Sequence, residues 1–111
     1  MEKLRIYQEA LRLVSQIYLL TRSNQQLSRD YSLCDQLRRA TISIVANIAE
    51  GYLRSRKQFQ NYLKIASGSA NEVEALLQIV SLIYGINTSS LQGSFKSLGK
   101  QINALSSKLK G

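Results

Sequence analysis

The chain has 111 residues, 44% of them apolar, with no proline, no histidine, six glycines and one cysteine. That length supports one self-sufficient core, and the apolar share is too high for a disordered chain. Fifteen lysines and arginines against seven acids leave a net charge of +8, which suits a polyanionic partner such as nucleic acid as well as simple solubility.

Without proline and with few glycines, turn-rich sandwiches and barrels are disfavoured, and long helices with few connections are expected. Residues 1–111 are read as a single domain. The first predicted helix covers about Glu2 to Arg22. Leu4, Tyr7, Leu11, Val14 and Tyr18 alternate by three and four and are taken as its core face. The polar stretch Ser23 to Ser28 reads as a loop.

A second helix is expected to start near Ser28 or Ser32, since Ser32-Leu33-Cys34-Asp35 has capping-box spacing. Its inward residues are Leu33, Leu37, Ala40, Ile44 and Ile48, and it ends around Gly51 to Leu53. The third begins at Ser55, with Ser55-Arg56-Lys57-Gln58 as another capping box. Its stripe is Phe59, Leu63, Ala66, Ala70, Val73, Leu77, Val80 and Tyr84, with Gly85 as the stop. The fourth carries Leu91, Phe95, Leu98, Ile102, Leu105 and Leu109 in heptad spacing. Four such helices on short loops give an all-α, antiparallel up-down-up-down four-helix bundle.

The first and third predicted helices hold more large aliphatics than one core needs. Ile6, Leu13, Ile17 and Leu20 form a second stripe on the first, and Ile65, Leu76, Ile79 and Ile83 do so on the third. If exposed, these stripes form an oligomer interface.

Charge is uneven. Residues 86–111 contain Lys96, Lys100, Lys108 and Lys110 and no acid. These lysines lie opposite the apolar seam of the fourth helix, as on any solvated helix face, and a phosphate backbone fits such a face. Arg54, Arg56 and Lys57 cluster between the second and third helices, and Arg38 and Arg39 form a third basic pair. Arginine reads phosphate bidentately. These residues, Lys110 aside, are the candidate nucleic-acid contacts.

Catalysis finds little support. Absent histidine removes the commonest general base and metal ligand, and no glycine-rich phosphate loop is present. Cys34 has no histidine to activate it and reads as a small core residue. Glu50 and Glu72 across two helices are weak evidence for an acid–base pair. No enzyme, cofactor or metal is expected. One cysteine suits a reducing compartment, hence the cytoplasm, and no stretch reads as a signal peptide or membrane span.

One segment stands out: Gln36-Leu37-Arg38-Arg39-Ala40-Thr41-Ile42-Ser43-Ile44-Val45-Ala46-Asn47-Ile48-Ala49-Glu50-Gly51. Small residues Ala40, Ser43 and Ala46 answer Ala66, Ser67, Gly68, Ser69 and Ala70 on the next helix. A tight crossing with a polar contact is expected, from Asn47 or Glu50 to Ser69. The segment, with Phe59, Leu63, Ala66, Gly68, Ser69 and Glu72 after it, resembles the 23S ribosomal RNA intervening-sequence protein family. Tyr7 stands where that family often has Trp, and Val45 where Pro is frequent. The resemblance implies a bacterial antiparallel four-helix fold and a ring-like homopentamer with a positive surface. Asn47, Glu50, Gly51, Ser69 and Glu72 are read, from the facing small-residue patches, as a structural motif of helix packing and register. A related group serves as accessory subunits of diversity-generating retroelements, binding reverse transcriptase and RNA. Two functions follow as expectations: an oligomeric RNA-binding protein, or a protein-assembly scaffold, for example for a reverse transcriptase.

Overall fold

A computed structural model describes residues 1–109. All regular structure among them is helical: α1 (Glu2–Ser23), α2 (Gln25–Ser28), α3 (Tyr31–Tyr52), α4 (Arg56–Tyr84) and α5 (Ser89–Lys108). Side chains set each boundary. Asn24 accepts the Leu27 N–H at 2.9 Å and starts α2, so the expected loop contains a helical turn. Asp30, not Ser32, caps α3 by accepting the Leu33 N–H at 3.1 Å. The carboxylate outcompetes a serine placed two residues later because it already sits beyond the α2 turn and favours the helix N-terminus electrostatically. Ser55 and Gln58 form the expected capping box of α4. Gly85 ends α4 at φ 66°, a left-handed conformation open to glycine at little cost.

After Gly85 the chain is fastened by Thr88, whose hydroxyl donates to the Leu77 carbonyl at 2.9 Å. Ser81 donates to the Ile86 carbonyl at 2.7 Å in the same corner. These bonds turn α5 back along α4.

α3 and α5 each pack against both α1 and α4, while the α1 and α4 backbones stay more than 8 Å apart on the diagonal and meet through side chains, with the Lys3 ammonium 5.5 Å from the centre of the Phe59 ring. The polar ties show the directions. Tyr84 at the end of α4 meets Asp30 before α3. Gln60 near the start of α4 donates to the Ser106 carbonyl near the end of α5 at 3.0 Å. Lys108 pairs with Glu2 at 3.1 Å, the end of α5 beside the start of α1. The molecule measures 47 × 20 × 20 Å; the 29-residue α4, about 43 Å at 1.5 Å per residue, spans nearly its whole length.

The core runs through Ile6, Leu13 and Ile17 of α1, Leu37 and Ile44 of α3, Leu63, Val73 and Leu77 of α4, and Phe95, Leu98 and Ile102 of α5. The expectation for the first helix is therefore inverted. Ile6, Leu13 and Ile17 are fully buried within one chain and cannot form a subunit interface; Leu20 is half-buried against the same core. Leu4 and Leu11 are exposed, and Tyr7, Val14 and Tyr18 are half-buried. The inward seam is Ile6-Ala10-Leu13-Ile17-Thr21. Its small Ala10 lets neighbouring helices approach, and burial of each large aliphatic contributes about 1.5–3 kcal/mol. The competing stripe carries two tyrosine hydroxyls, which favour a wet boundary.

On α4 the expected stripe from Phe59 to Val80 is buried. Leu76 belongs to that core and is likewise removed from the interface set, because it faces inward beside Leu77. Ile65, Ile79 and Ile83 are exposed as expected, and Leu82 joins them. Cys34 is buried and its thiol donates to the Leu27 carbonyl at 3.1 Å. Among the described residues no helix is long and apolar enough to cross a membrane.

Candidate nucleic-acid interface

The buried seam of α5 forces its lysines outward. Lys96 and Lys100 sit one turn apart and are exposed. On α4, Lys57 and Lys64 are seven residues apart, two turns on one side, and are also exposed. The antiparallel register is fixed by Gln60 at Ser106 and by Gly99, whose α-carbon side lies against Ala70. It places Lys64 between the levels of Lys100 and Lys108. None of Lys57, Lys64, Lys96 and Lys100 takes part in an ion pair among the described residues. The acids of α4, Glu72 and Glu74, stand near the level of Lys96 without pairing. Lys64 adds to the contacts expected from the sequence; its seven-residue spacing from Lys57 is the signal that places it on the same side of α4. Lys110 lies outside the described residues.

The other expected contacts are engaged within the chain. Arg54 donates to Glu50 at 2.9 Å and lies over the Tyr62 ring at 5.8 Å. The Glu50 carboxylate lifts the Arg54 guanidinium above its usual pKa. Arg39 pairs with Asp35 at 2.8 Å, and Lys108 pairs with Glu2. Such exposed pairs contribute little to stability because water and salt screen them, so a phosphate can compete for them, but their charge is partly spent. Arg56 donates to the Lys108 and Leu109 carbonyls at 3.0 and 3.3 Å. Its cation thus serves the C-terminus of α5, where it is electrostatically favourable, and this offsets its place at the start of α4. Arg38 donates from Nε to the Thr21 hydroxyl at 2.9 Å and lies over Tyr18. The eight expected contacts therefore do not form one surface. Lys57, Lys96 and Lys100, joined by Lys64, make a face on α4 and α5; the arginines are scattered over the α3 side and the helix ends.

The distinctive segment is architectural in its contacts. Ser43 and Ser69 share a hydrogen bond of 2.9 Å across α3 and α4. Asn47 stands one step behind, donating to the Ser43 carbonyl at 2.8 Å and to its hydroxyl at 3.0 Å. The expected direct contact from Asn47 or Glu50 to Ser69 is thus replaced by Ser43, whose short side chain lies closer to the crossing. Glu50 faces Arg54, and Glu72 is exposed with no partner among the described residues. Gly51 lies under Tyr62 and Phe59. Gly68 is exposed and open, so it plays no part in the crossing.

Two apolar surfaces remain uncovered. One lies along α1 and α3, where Leu4, Leu11, Ile42, Tyr52 and Leu53 are exposed. It includes a cavity of about 420 Å³ lined by Leu4, Tyr7, Ile48, Ala49, Tyr52 and Leu53, with Lys3 at its edge. The other is the Ile79, Leu82 and Ile83 end of α4.

These features define an all-helical basic protein with a lysine face that is unpaired among the described residues and two uncovered apolar faces. The chain belongs to the family described as 23S rRNA-intervening sequence protein, which it matches over residues 2–111. Its structure is similar to that of a protein of unknown function from the S23 ribosomal protein family of Bacteroides thetaiotaomicron. That protein is 29% identical, with all of both chains covered and a TM-score of 0.77. No curated protein matches the chain in sequence.

Proposed function

We infer that this chain is a non-enzymatic, single-domain subunit, an antiparallel four-helix bundle with α2 as a turn, which assembles with copies of itself and binds structured RNA. The observation that carries the RNA reading is the face formed by Lys57, Lys64, Lys96 and Lys100, all exposed and unpaired among the described residues. Each phosphate such a face neutralises releases counterions and favours binding without regard to sequence. The family's association in name with 23S rRNA supports RNA over other polyanions. A non-catalytic role is supported by the absence of histidine and by burial, which pushes the Cys34 thiol up and away from nucleophilic use. A reducing, cytoplasmic setting suits that single thiol.

Self-assembly is supported by the two apolar faces. They lie on different helices, which suits a head-to-tail contact, and a head-to-tail contact that closes makes a ring; a ring of five follows the family resemblance. Filter binding of a structured RNA across a salt series tests the RNA reading. No binding at low salt, or binding with no salt slope, ends it. The α1/α3 surface also suits a second reading, an accessory scaffold for a protein such as a reverse transcriptase. Recovery of that partner after RNase treatment, with no direct RNA binding, would favour the scaffold.

A further inference from the structure

A second cleft, of about 570 Å³, opens where α1 ends and α3 begins, lined in part by Thr21, Ser28, Tyr31, Ser32, Asp35 and Arg38. That volume falls in the range of small-ligand sites. Four of these residues bring hydroxyls and one a guanidinium, whereas the other cavity is lined almost wholly by apolar groups.

Arg38 is the fixed element. Its guanidinium carbon lies 4.3 Å from the centre of the Tyr18 ring. Its Nε donates at 2.9 Å to Thr21, and the buried Thr21 hydroxyl is itself anchored to the Ile17 carbonyl at 2.9 Å. One face and one donor are thus occupied. The Nη pair, the forked edge that fits a phosphate, donates no hydrogen bond among the described residues. The nearby acids are already engaged: Asp35 with Arg39 at 2.8 Å, and Asp30 with Tyr84 at 2.7 Å. At the rim stands Tyr31, 79% exposed, an aromatic ring that the fold does not use. A held fork and an open ring line one cleft, two turns or about 10 Å apart along α3, and offer one nucleotide a contact for its phosphate and a contact for its base.

We propose that this cleft binds one unpaired nucleotide of an RNA strand, with its phosphate on the Arg38 fork and its base against Tyr31. The inference rests on the RNA reading above but uses different helices. The lysines of α4 and α5 accept any phosphate backbone, paired or not, whereas the cleft requires a base freed from its partner.

Fluorescence anisotropy with octauridylate and with an RNA duplex of equal length tests it, using wild type, Arg38→Ala, Arg38→Lys, Tyr31→Ala and Lys96→Glu. Arg38→Ala and Tyr31→Ala each weaken the single strand by roughly tenfold and leave the duplex within about twofold. Arg38→Lys behaves like Arg38→Ala, because charge without the fork does not suffice. If Arg38→Ala fails to fold, Tyr31→Ala decides, since its ring is open to solvent. Equal weakening of single strand and duplex, or no effect of Tyr31→Ala, overturns the proposal. Uridine monophosphate binding as tightly as the octamer also overturns it, by assigning the cleft to free nucleotides. If only Lys96→Glu weakens binding, the cleft assignment fails while the RNA reading stands. If wild type binds neither RNA, both fail.

Discussion

Tyr84, at the end of α4, donates its hydroxyl to Asp30 at 2.7 Å, while the other oxygen of Asp30 accepts the Leu33 N–H at 3.1 Å. One carboxylate therefore caps α3 and ties α4 to it. The Tyr84 contact first, then the Leu33 amide, holds the Asp30 carboxyl below its usual range. The same contact raises the Tyr84 phenol. A lowered Asp30 pKa means that its stabilisation is complete above the unfolded value of about 3.9 and is lost as pH falls through the folded value. For Tyr84 the sign reverses: its contribution is complete below about 10 and is lost as pH rises through the folded value. Tyr84→Phe lowers the thermal midpoint at neutral pH, and the difference from wild type shrinks toward about pH 2. Circular dichroism melts across pH check this; an equal difference at every pH would contradict it.

Gly51 and Gly68 make opposite predictions. A Cβ at Gly51 would lie 2.7 Å from the Tyr62 Cβ and 2.9 Å from the Phe59 ring. The first atom is tied to backbone and the second ring is buried, so neither gives way easily. Gly51→Ala is expected to destabilise by about 1–3 kcal/mol. At Gly68 a Cβ meets nothing within 4 Å, and Gly68→Ala within an exposed helix stabilises by about 0.5–1 kcal/mol. Urea midpoints at constant m separate the two.

α4 was legible in the sequence because its stripe holds one period from Phe59 to Val80, with a capping box before it and glycine after. α1 was not legible in the same way. It is apolar on two sides, and a wheel cannot say which side meets α3 and α5. Packing decided it through Ala10 and Thr21, small residues that a search for large aliphatics passes over. The lysines of α5 were readable because no acid interrupts them. The fate of the arginines was not, because their partners, among them Thr21, Tyr18 and the carbonyl ends of α5, are distant in sequence or belong to the backbone.

Assembly through the uncovered faces has a direct readout. Leu11→Glu on α1 and Ile79→Glu on α4 each put a charge on an exposed position, so helicity is retained. Each is expected to reduce the mass seen by light scattering toward the 12.5 kDa of one chain. Wild type already at that mass, or an unchanged mass in both variants, would count against self-assembly. Ile6→Glu, by contrast, unfolds the chain, because Ile6 is buried in its own core.

The salt dependence of RNA binding by the lysine face is the most direct test. Wild type and the variant with Lys57, Lys64, Lys96 and Lys100 all changed to Glu are titrated with a structured RNA over a salt series. If these lysines meet phosphates, the slope of log K against log salt becomes shallower by roughly 0.7–0.9 for each contact removed, and affinity falls for every RNA alike. A variant that keeps the wild-type slope and affinity would contradict the assignment of this face.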